Sequence, residues 1–405
     1  MAIFDAMSAT GFVIHTSITE IEAAAWDALN RASGDCPFLS WGFLALLEDS
    51  GALDESGWRP LYAALYDEAG PLAAAPFYLC AGQAGQFTWD GGMEELARAY
   101  GLAWFPKLVG MVPFTPSPVW RVLTRGEGDG GTEARGTEAA DGARAAALIE
   151  ALEAFARKAG LSGLHLQWLD QGWAAKAAAY GGAWLAWRRQ AYLWENRGYR
   201  DFAAYLSSLT KNMRRNVRRE RGGLDAMGVK TELVRAGEAP SFWPLMGEYY
   251  ARTNDKFGPW AARFLPARFF ELAPRYLADR ALFSAAFAPG ADRPIALALL
   301  FEGGSRLWGR YWGSAADIPG LHFEVCYYAP IEYAIGAGLA AFDPGMGGDH
   351  KARRGFRALM ASSLHRVFDR RLSAAFARAV AEASAAEEAY AEELNRELPG
   401  APSAD

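Results

Sequence analysis

The chain has 405 residues, of which 51% are hydrophobic and 22% are charged, and its net charge at pH 7 is −6. A chain of this length and composition can bury large cores, which excludes a single small binding module and a mainly disordered protein. The acidic balance also excludes a protein whose whole surface coats nucleic acid, so any polyanion site must be a local basic patch.

The first half of the sequence predicts helices, a hairpin and a helix–strand pair. Ser17 and Glu20 form a capping-box pattern before helically spaced apolar residues, and a turn-like segment, residues 67–71, separates two apolar runs. The predicted helices span residues 18–29, 38–47 and 145–159, and the predicted strands span residues 61–66, 72–79, 119–123 and 163–168. Residues 125–144 contain no aromatic or large aliphatic side chain, which predicts a flexible surface insertion.

The second half repeats this order in outline, which predicts an α+β chain built from a duplicated unit. Its predicted helices span residues 202–223, 241–253, 267–278 and 322–336, and its predicted strands span residues 229–234, 281–287, 295–302 and 305–312. An Ala/Glu-rich helix follows residue 371. We therefore expect an N-terminal domain over residues 1–190, a C-terminal domain over residues 191–395 and a polar tail over residues 396–405.

Three cysteines at wide spacings, Cys36, Cys80 and Cys326, are too few for a disulfide framework or a zinc ribbon. Residues 1–13 contain no Lys or Arg, and they lack the continuous apolar region of a signal peptide. Every apolar run is far shorter than the roughly 20 residues of a spanning helix. The sequence predicts a cytoplasmic protein with no metal site and no membrane span.

A basic helix is predicted over residues 202–222. Five apolar residues recur at spacings of three and four and form a stripe that we expect to be buried: Phe202, Leu206, Leu209, Met213 and Val217. Guanidinium groups bind phosphate in a bidentate manner, so the cations on the other faces are candidate contacts for a phosphate-bearing substrate or an RNA backbone. These cations are Lys211, Arg214, Arg215, Arg218 and Arg219. The alternative is a solvated face whose cations pair with scattered acids.

Residues 311–356 concentrate side chains that carry chemistry. Two of the five histidines, His322 and His350, lie here with Glu324 and Lys351. A glycine-rich turn lets the backbone approach a ligand while it presents an acid–base group and a cation for an oxyanion. The alternative is a capped helix and a tight turn with incidental polar residues. The further candidate binding residues in this segment are Tyr311, Trp312, Tyr328, Asp349 and Arg354.

Two aromatic segments with prolines, residues 104–118 and 255–270, each contain one lysine, Lys107 and Lys256. They are candidate linings of a cleft, although such clusters are more often core packing. The sequence lacks the G-x-x-x-x-G-K-[ST], G-x-S-x-G, H-E-x-x-H and paired C-x-x-C motifs. These absences argue against nucleotide hydrolysis on a phosphate loop, a serine hydrolase and a zinc enzyme.

Several separated motifs resemble those of the FemAB-like peptidoglycan biosynthesis/recognition family, within the wider group of GNAT-fold acyltransferases. They are the basic helix after WENRGY (residues 194–199), FPKLVGMVPFTP (105–116), RYWGSAADIPGLHFEVCYY (310–328) and GMGGDHKARRGF (345–356). The resemblance covers roughly residues 30–385. It implies two tandem GNAT-like domains, each with a mixed central sheet flanked by helices.

The resemblance also implies transfer of an acyl or aminoacyl group to an amine of an amino acid, a peptide or a peptidoglycan precursor. The donor would be an aminoacyl-tRNA or an acyl-CoA, with no tightly bound cofactor and no DNA partner. The [QR]-x-x-G-x-[GA] turn of acetyl-CoA enzymes is incomplete in the segments that come nearest to it, residues 157–162 and 333–338. Gly347 and Asp349 stand where the family usually has Gln and Glu, so the acceptor could differ.

Acyl transfer to an amine needs a proton acceptor, donors for the oxyanion and close positioning. His350 and Glu324 are the candidate bases, and Lys351 is the candidate contact for a carbonyl or a phosphate. Two other functions stay open: a non-catalytic recognition protein on the same scaffold, and an acetyl-CoA-dependent N-acetyltransferase. An RNA-binding module is disfavoured because no aromatic platform accompanies the basic helix.

Overall fold

Strands form where short apolar runs alternate with turn residues. The structure, a computed structural model, describes residues 11–82, 84–88, 91–126, 134–177, 184–256, 258, 263–396 and 398–399. The strands are β1 (Gly11–His15), β2 (Trp58–Asp67), β3 (Gly70–Cys80), β4 (Lys107–Gly110), β5 (Leu123–Thr124), β6 (Gly163–Leu166), β7 (Leu185–Glu195), β8 (Lys230–Arg235), β9 (Ala281–Phe287), β10 (Ala296–Gly303), β11 (Arg306–Ser314), β12 (Ala341–Asp343) and β13 (Arg357–Val367).

Helices occupy most of the segments in which apolar residues recur every three or four positions. They are α1 (Ala23–Ala32), α2 (Trp41–Asp49), α3 (Ala52–Glu55), α4 (Gly91–Ala99), α5 (Ala134–Lys158), α6 (Gln171–Ala177), α7 (Phe202–Ser208), α8 (Lys211–Ala226), α9 (Phe242–Asp255), α10 (Ala267–Leu277), α11 (Leu321–Phe323), α12 (Ala329–Gly336) and α13 (Arg370–Arg396). None of the helices in the described part of the chain combines the length and the hydropathy that a bilayer-spanning segment requires.

The first unit consists of the described residues up to Arg189 together with Ala361–Glu387. Its strands are ordered β1-β2-β3-β4-β6-β13, and β5 pairs with β3. The β4–β6 pair is parallel and the other pairs are antiparallel, so the sheet is mixed. The predicted hairpin is confirmed as β2–β3, and Gly70 at its turn has a φ of +114°. Helix α5 packs on this sheet through a buried cluster that contains Leu148 and Phe77.

The second unit consists of Gln190–Met360 together with the described residues from Glu388 onward. Its strands are ordered β7-β12-β11-β10-β9-β8. The β11–β12 pair is parallel and the others are antiparallel, so this sheet is also mixed. Helices α8 and α12 contribute Val217 and Ile331 to a core that also contains Phe342 of β12. This core places α8 and the segment after β12 near each other.

The predicted basic helix is interrupted. Leu209 is extended, with φ −77° and ψ 160°, and Thr210 caps α8 by accepting a hydrogen bond from the Met213 backbone N–H at 3.4 Å. A threonine at this position competes for backbone hydrogen bonds and starts a new helix. The predicted apolar stripe nevertheless lies in the core, with Met213 and Val217 buried.

The structure also differs from the predicted insertion and domain limits. Residues 127–133 lie outside the described residues, but Ala134 begins α5, because Ala-, Glu- and Arg-rich segments form helices without large apolar side chains. Residues 361–387 belong to the first unit, since β13 pairs with β6 and Phe376 packs with Trp104. Most of the predicted tail, residues 396–405, lies outside the described residues.

Candidate active site in the second unit

The glycine-rich turn after β12 brings His350 close to the backbone. Gly345 and Gly348 have φ values of +81° and +87°, in the left-handed region that favours glycine. A Cβ atom on Gly348 would lie 2.3 Å from Cε1 of His350, so only glycine lets the imidazole lie against this turn. A short 3₁₀ helix, Asp349–Arg354, follows and carries the remaining polar residues of the motif.

Lys351 closes this turn instead of facing solvent. Its side chain is buried, and Nζ donates hydrogen bonds to the carbonyl oxygens of Gly345 at 2.7 Å and Met346 at 3.0 Å. Burial, the largest cause, lowers the pKa of Lys351 to about 8. The expectation that Lys351 contacts the carbonyl or phosphate of a substrate is therefore not supported, because its ammonium group already donates hydrogen bonds to two carbonyl oxygens of the turn.

A π-helical turn, Glu324–Tyr328, lies between α11 and α12. Such turns insert an extra residue into a helix and are frequent at functional sites. Here the turn directs two successive tyrosine hydroxyls toward the same region. The Tyr327 hydroxyl lies 3.0 Å from Nε2 of His350, and the Tyr328 hydroxyl donates a short hydrogen bond to Glu220 of α8.

Both histidines of this region are neutral at pH 7. Burial, followed by the charges of Lys351 and Arg354, lowers the pKa of His350 to about 4. Burial, followed by His350 and Lys351, lowers the pKa of His322 to about 3. The His322 ring stacks on Trp312 with 4.4 Å between ring centroids, which makes it part of an aromatic cluster. His350 is half-buried and keeps contact with a cavity.

Arg354 is a buried organising residue of the site. Its Nη2 donates to both carboxylate oxygens of Glu220 at 2.8 Å, and its Nε donates to the Tyr328 hydroxyl at 2.8 Å. Its Nη1 donates to the His350 carbonyl oxygen at 2.8 Å, and its guanidinium carbon lies 3.4 Å from the Phe323 ring centroid. These contacts engage all three nitrogens, so Arg354 links α8 to the 3₁₀ helix.

Glu324, the second candidate base, is engaged in an ion pair. Both of its oxygens accept hydrogen bonds from Arg221, at 2.8 and 2.9 Å, and Arg221 also pairs with Glu332 at 2.8 Å. Burial raises the pKa of Glu324, and the Arg221 hydrogen bond opposes that rise. The structure does not support Glu324 as a proton acceptor, because each of its oxygens already accepts a hydrogen bond from the Arg221 guanidinium group.

A cavity of about 210 Å³ opens beside these residues. It brings together parts of α8, the π-helical turn and the 3₁₀ helix. Its lining consists of Asn216, Arg219, Glu220, Phe323, Tyr328, His350, Arg353 and Arg354. Among the described residues, three guanidinium groups and one carboxylate line it while His350 is neutral, so this lining carries a net charge of about +2.

Four of the five cations predicted on α8 do not line this cavity, whereas Arg219 does. Arg214 donates hydrogen bonds to the carbonyl oxygens of Ser207 and Leu209, at 3.2 and 2.8 Å, and so caps the end of α7. The other three are exposed along α8: Lys211, Arg215 and Arg218. They fit the alternative of a solvated face better than a built site.

The other predicted residues are spread more widely. Tyr311 packs edge to face with Tyr250 at 5.4 Å, and Asp349 accepts a hydrogen bond from Tyr390. Lys256 pairs with Asp317 at 2.7 Å on the surface. Lys107 is buried in the first unit, 4.9 Å from the ring centroid of Trp104. None of these residues lines the 210 Å³ cavity among the described residues.

Four lining residues were not among the candidates: Asn216, Glu220, Phe323 and Arg353. Arg219 was recognised only as one cation of the basic helix. Residues 216, 219 and 220 share one helical face at spacings of three and four, and this was the signal available in the sequence. Glu220, the acid that organises the site, was missed because the sequence of this helix is dominated by cations.

The model of the FemAB-like family, described as peptidoglycan biosynthesis/recognition, matches residues 17–401. No curated protein matches the chain. The chain is similar to the C-terminal domain of a proposed lysylphosphatidylglycerol synthetase from Agrobacterium fabrum, at 11% identity and a TM-score of 0.52. That match covers 90% of this chain and 97% of the other.

Two more solved structures have the same TM-score of 0.52. FemX is 10% identical, with 90% of this chain and 99% of that chain covered. A conserved protein of unknown function from Bacteroides thetaiotaomicron VPI-5482 is 11% identical, with 85% and 97% covered. Likenesses at these identities show the fold alone. The predicted fold class is confirmed as α+β with mixed sheets flanked by helices.

Proposed function

The chain belongs to the FemAB-like peptidoglycan biosynthesis/recognition family, and on that premise we propose that it is an N-acyltransferase. It would transfer an acyl or aminoacyl group to an amine of an amino acid, a peptide or a peptidoglycan precursor. The observation that carries this proposal is the cavity in which a neutral His350 lies beside cationic and amide side chains. The donor would be an aminoacyl-tRNA or an acyl-CoA.

The positive lining favours the reactive form of an acceptor. Only a neutral amine has the lone pair that attacks a carbonyl carbon, and nearby cations lower the pKa of an ammonium group. Arg219 and Arg353 line the cavity, and Glu220, the one carboxylate among its described lining residues, is already bound to Arg354. An amine that enters the cavity therefore loses its proton more readily than it does in water.

His350 then accepts the proton that the amine releases as it attacks. Because its pKa is about 4, the imidazole has a free lone pair at pH 7. In the tautomer that serves this step, Nε2–H donates to the Tyr327 hydroxyl and Nδ1 is the acceptor. An imidazole with this pKa is a weak base, so the transfer also depends on the positive lining, which lowers the pKa of the acceptor amine. The Asn216 amide in the lining can donate to the developing oxyanion.

The lining favours direct transfer over an acyl-enzyme intermediate. Its described residues include no Ser, Thr or Cys. Cys326 is the thiol within the π-helical turn, and burial raises its pKa, so it stays protonated at neutral pH. The amine of the acceptor would attack the donor carbonyl without a covalent nucleophile from the protein.

The test uses the full chain with labelled acyl-CoA or labelled aminoacyl-tRNA and a panel of amines. We expect one donor class to yield labelled amide. Asn216→Trp, which fills the cavity from α8, should abolish transfer, whereas Asn212→Trp, at an exposed position one turn earlier, should retain it. Absence of transfer with both donors would favour a recognition protein, and equal activity of the two variants would remove the reaction from this cavity.

A further inference from the structure

Two arginines of the cavity lining have no counter-ion within the described ranges of the chain. Arg219 on α8 and Arg353 on the 3₁₀ helix are both exposed, and no ion pair or hydrogen bond joins either side chain to another described residue. The third arginine of the lining, Arg354, is neutralised by Glu220. The unneutralised charge of the cavity therefore comes from Arg219 and Arg353.

The backbone fixes how these two arginines are placed. Arg219 directly precedes Glu220, and Arg353 directly precedes Arg354. The Glu220–Arg354 pair, with hydrogen bonds of 2.8 Å to both carboxylate oxygens, ties the two segments together. Two free guanidinium groups thus extend from a rigid base toward one cavity, an arrangement suited to bidentate binding of an anion.

The volume of the cavity limits the size of the molecule that carries this anionic group. Pockets that enclose drug-sized ligands measure about 300–1,000 Å³, whereas this cavity measures about 210 Å³. A group the size of an amino acid fits, but a nucleotide does not. The cavity also contains His350, so a small molecule held by its anionic end can present an amine to the imidazole.

We infer that Arg219 and Arg353 bind the anionic end of the acceptor, a carboxylate or a phosphate. The acceptor is then a small molecule with an amine at one end and an oxyanion at the other. This inference rests on the proposed function, because it assigns the acceptor of that reaction. Each guanidinium–oxyanion contact should contribute about tenfold in affinity.

Binding to the full chain, measured by titration calorimetry, tests the inference with three probes built on the same aminoethyl unit. β-Alanine, 2-aminoethyl phosphate and β-alaninamide share a primary amine and differ in the group two carbons away. We expect the two anions to bind at least tenfold more tightly than the amide, and the tighter of the two identifies carboxylate or phosphate as the natural group. Equal binding of all three probes, or no binding of any, would overturn the inference.

Variants test whether Arg219 and Arg353 cause the preference for the anionic probes. Arg219→Gln/Arg353→Gln should remove the preference for anions, whereas Lys230→Gln/Arg306→Gln, which removes two exposed cations outside the lining, should keep it. An unchanged preference in the first variant would overturn the inference. If that variant does not fold, the salt dependence of the wild-type chain serves instead: added NaCl should weaken binding of the anions, and no such weakening would overturn the inference.

The binding experiment and the transfer experiment test the two proposals separately, because either result can be negative while the other is positive. Anion-selective binding that depends on Arg219 and Arg353, without transfer from any donor, would overturn the proposed function and leave an anion site. Transfer with equal kcat/KM for β-alanine and β-alaninamide would support the proposed function and overturn the anion site.

Discussion

Replacing Glu220 removes the acid that joins α8 to the 3₁₀ helix, and Glu220→Ala should destabilise the second unit. The Arg354 side chain is 7% exposed and that of Glu220 is 15% exposed, so the variant leaves a buried guanidinium group without its carboxylate. Loss of one partner of a buried ion pair costs about 3–5 kcal/mol. For a unit of this size, that cost lowers Tm by roughly 10 °C.

Chemical denaturation and calorimetry of the full chain measure this effect. Glu271→Ala, at an exposed position of α10, is the matched control and should change the free energy of unfolding by less than about 0.5 kcal/mol. Glu220→Gln keeps one acceptor oxygen and should lie between the two. A loss below about 1 kcal/mol for Glu220→Ala would refute the reasoning, because Arg354 would then be stable without the pair.

The remaining predictions concern the glycine-rich turn and the buried bases. Gly348→Ala should lower the transfer rate far more than Gly347→Ala does, because both positions have positive φ but only the first Cβ would meet the His350 ring. The lowered pKa of Lys351, about 8, means that the unfolded chain binds more protons between pH 8 and 10.5. Wild-type stability should therefore gain about 2 kcal/mol from this group between pH 7.5 and 9.5, and Lys351→Met should lack that gain in urea titrations. The lowered pKa of His322, about 3, makes the unfolded chain bind more protons below pH 6.5. Between pH 7 and 5 the wild type should lose about 2 kcal/mol through His322, and the same titrations should show a smaller loss for His322→Gln.

The sequence predicts those features of the fold that depend on local periodicity. The β2–β3 hairpin follows from alternating apolar runs and turn residues, and the burial of Met213 and Val217 follows from helical spacing. The interruption at Thr210 was missed because an apolar stripe continues across it. Residues 134–144 were expected to be flexible because they lack large apolar side chains, yet an Ala-rich segment extends α5.

The residues of the candidate site could be predicted from the sequence only in part. His350, Tyr328 and Arg354 were selected for their chemistry, and the structure places all three at one cavity. The partners of Glu324 and Lys351 could not be inferred, because they depend on contacts between distant residues and on backbone carbonyls. Arg221 lies 103 positions from Glu324, and the carbonyls that surround Lys351 come from the turn itself.

The central claim is that acyl transfer takes place at the cavity with His350 as the proton acceptor, and kcat/KM of His350→Ala tests it most directly. The measurement compares this variant with the wild type at several pH values between 5 and 8, with one donor and one acceptor, after unfolding curves establish that both are folded. The account predicts a loss of roughly a hundredfold or more and no wild-type inflection near pH 6.5 beyond that of the acceptor amine, since the pKa of His350 is about 4. Wild-type kcat/KM in the folded variant would contradict it.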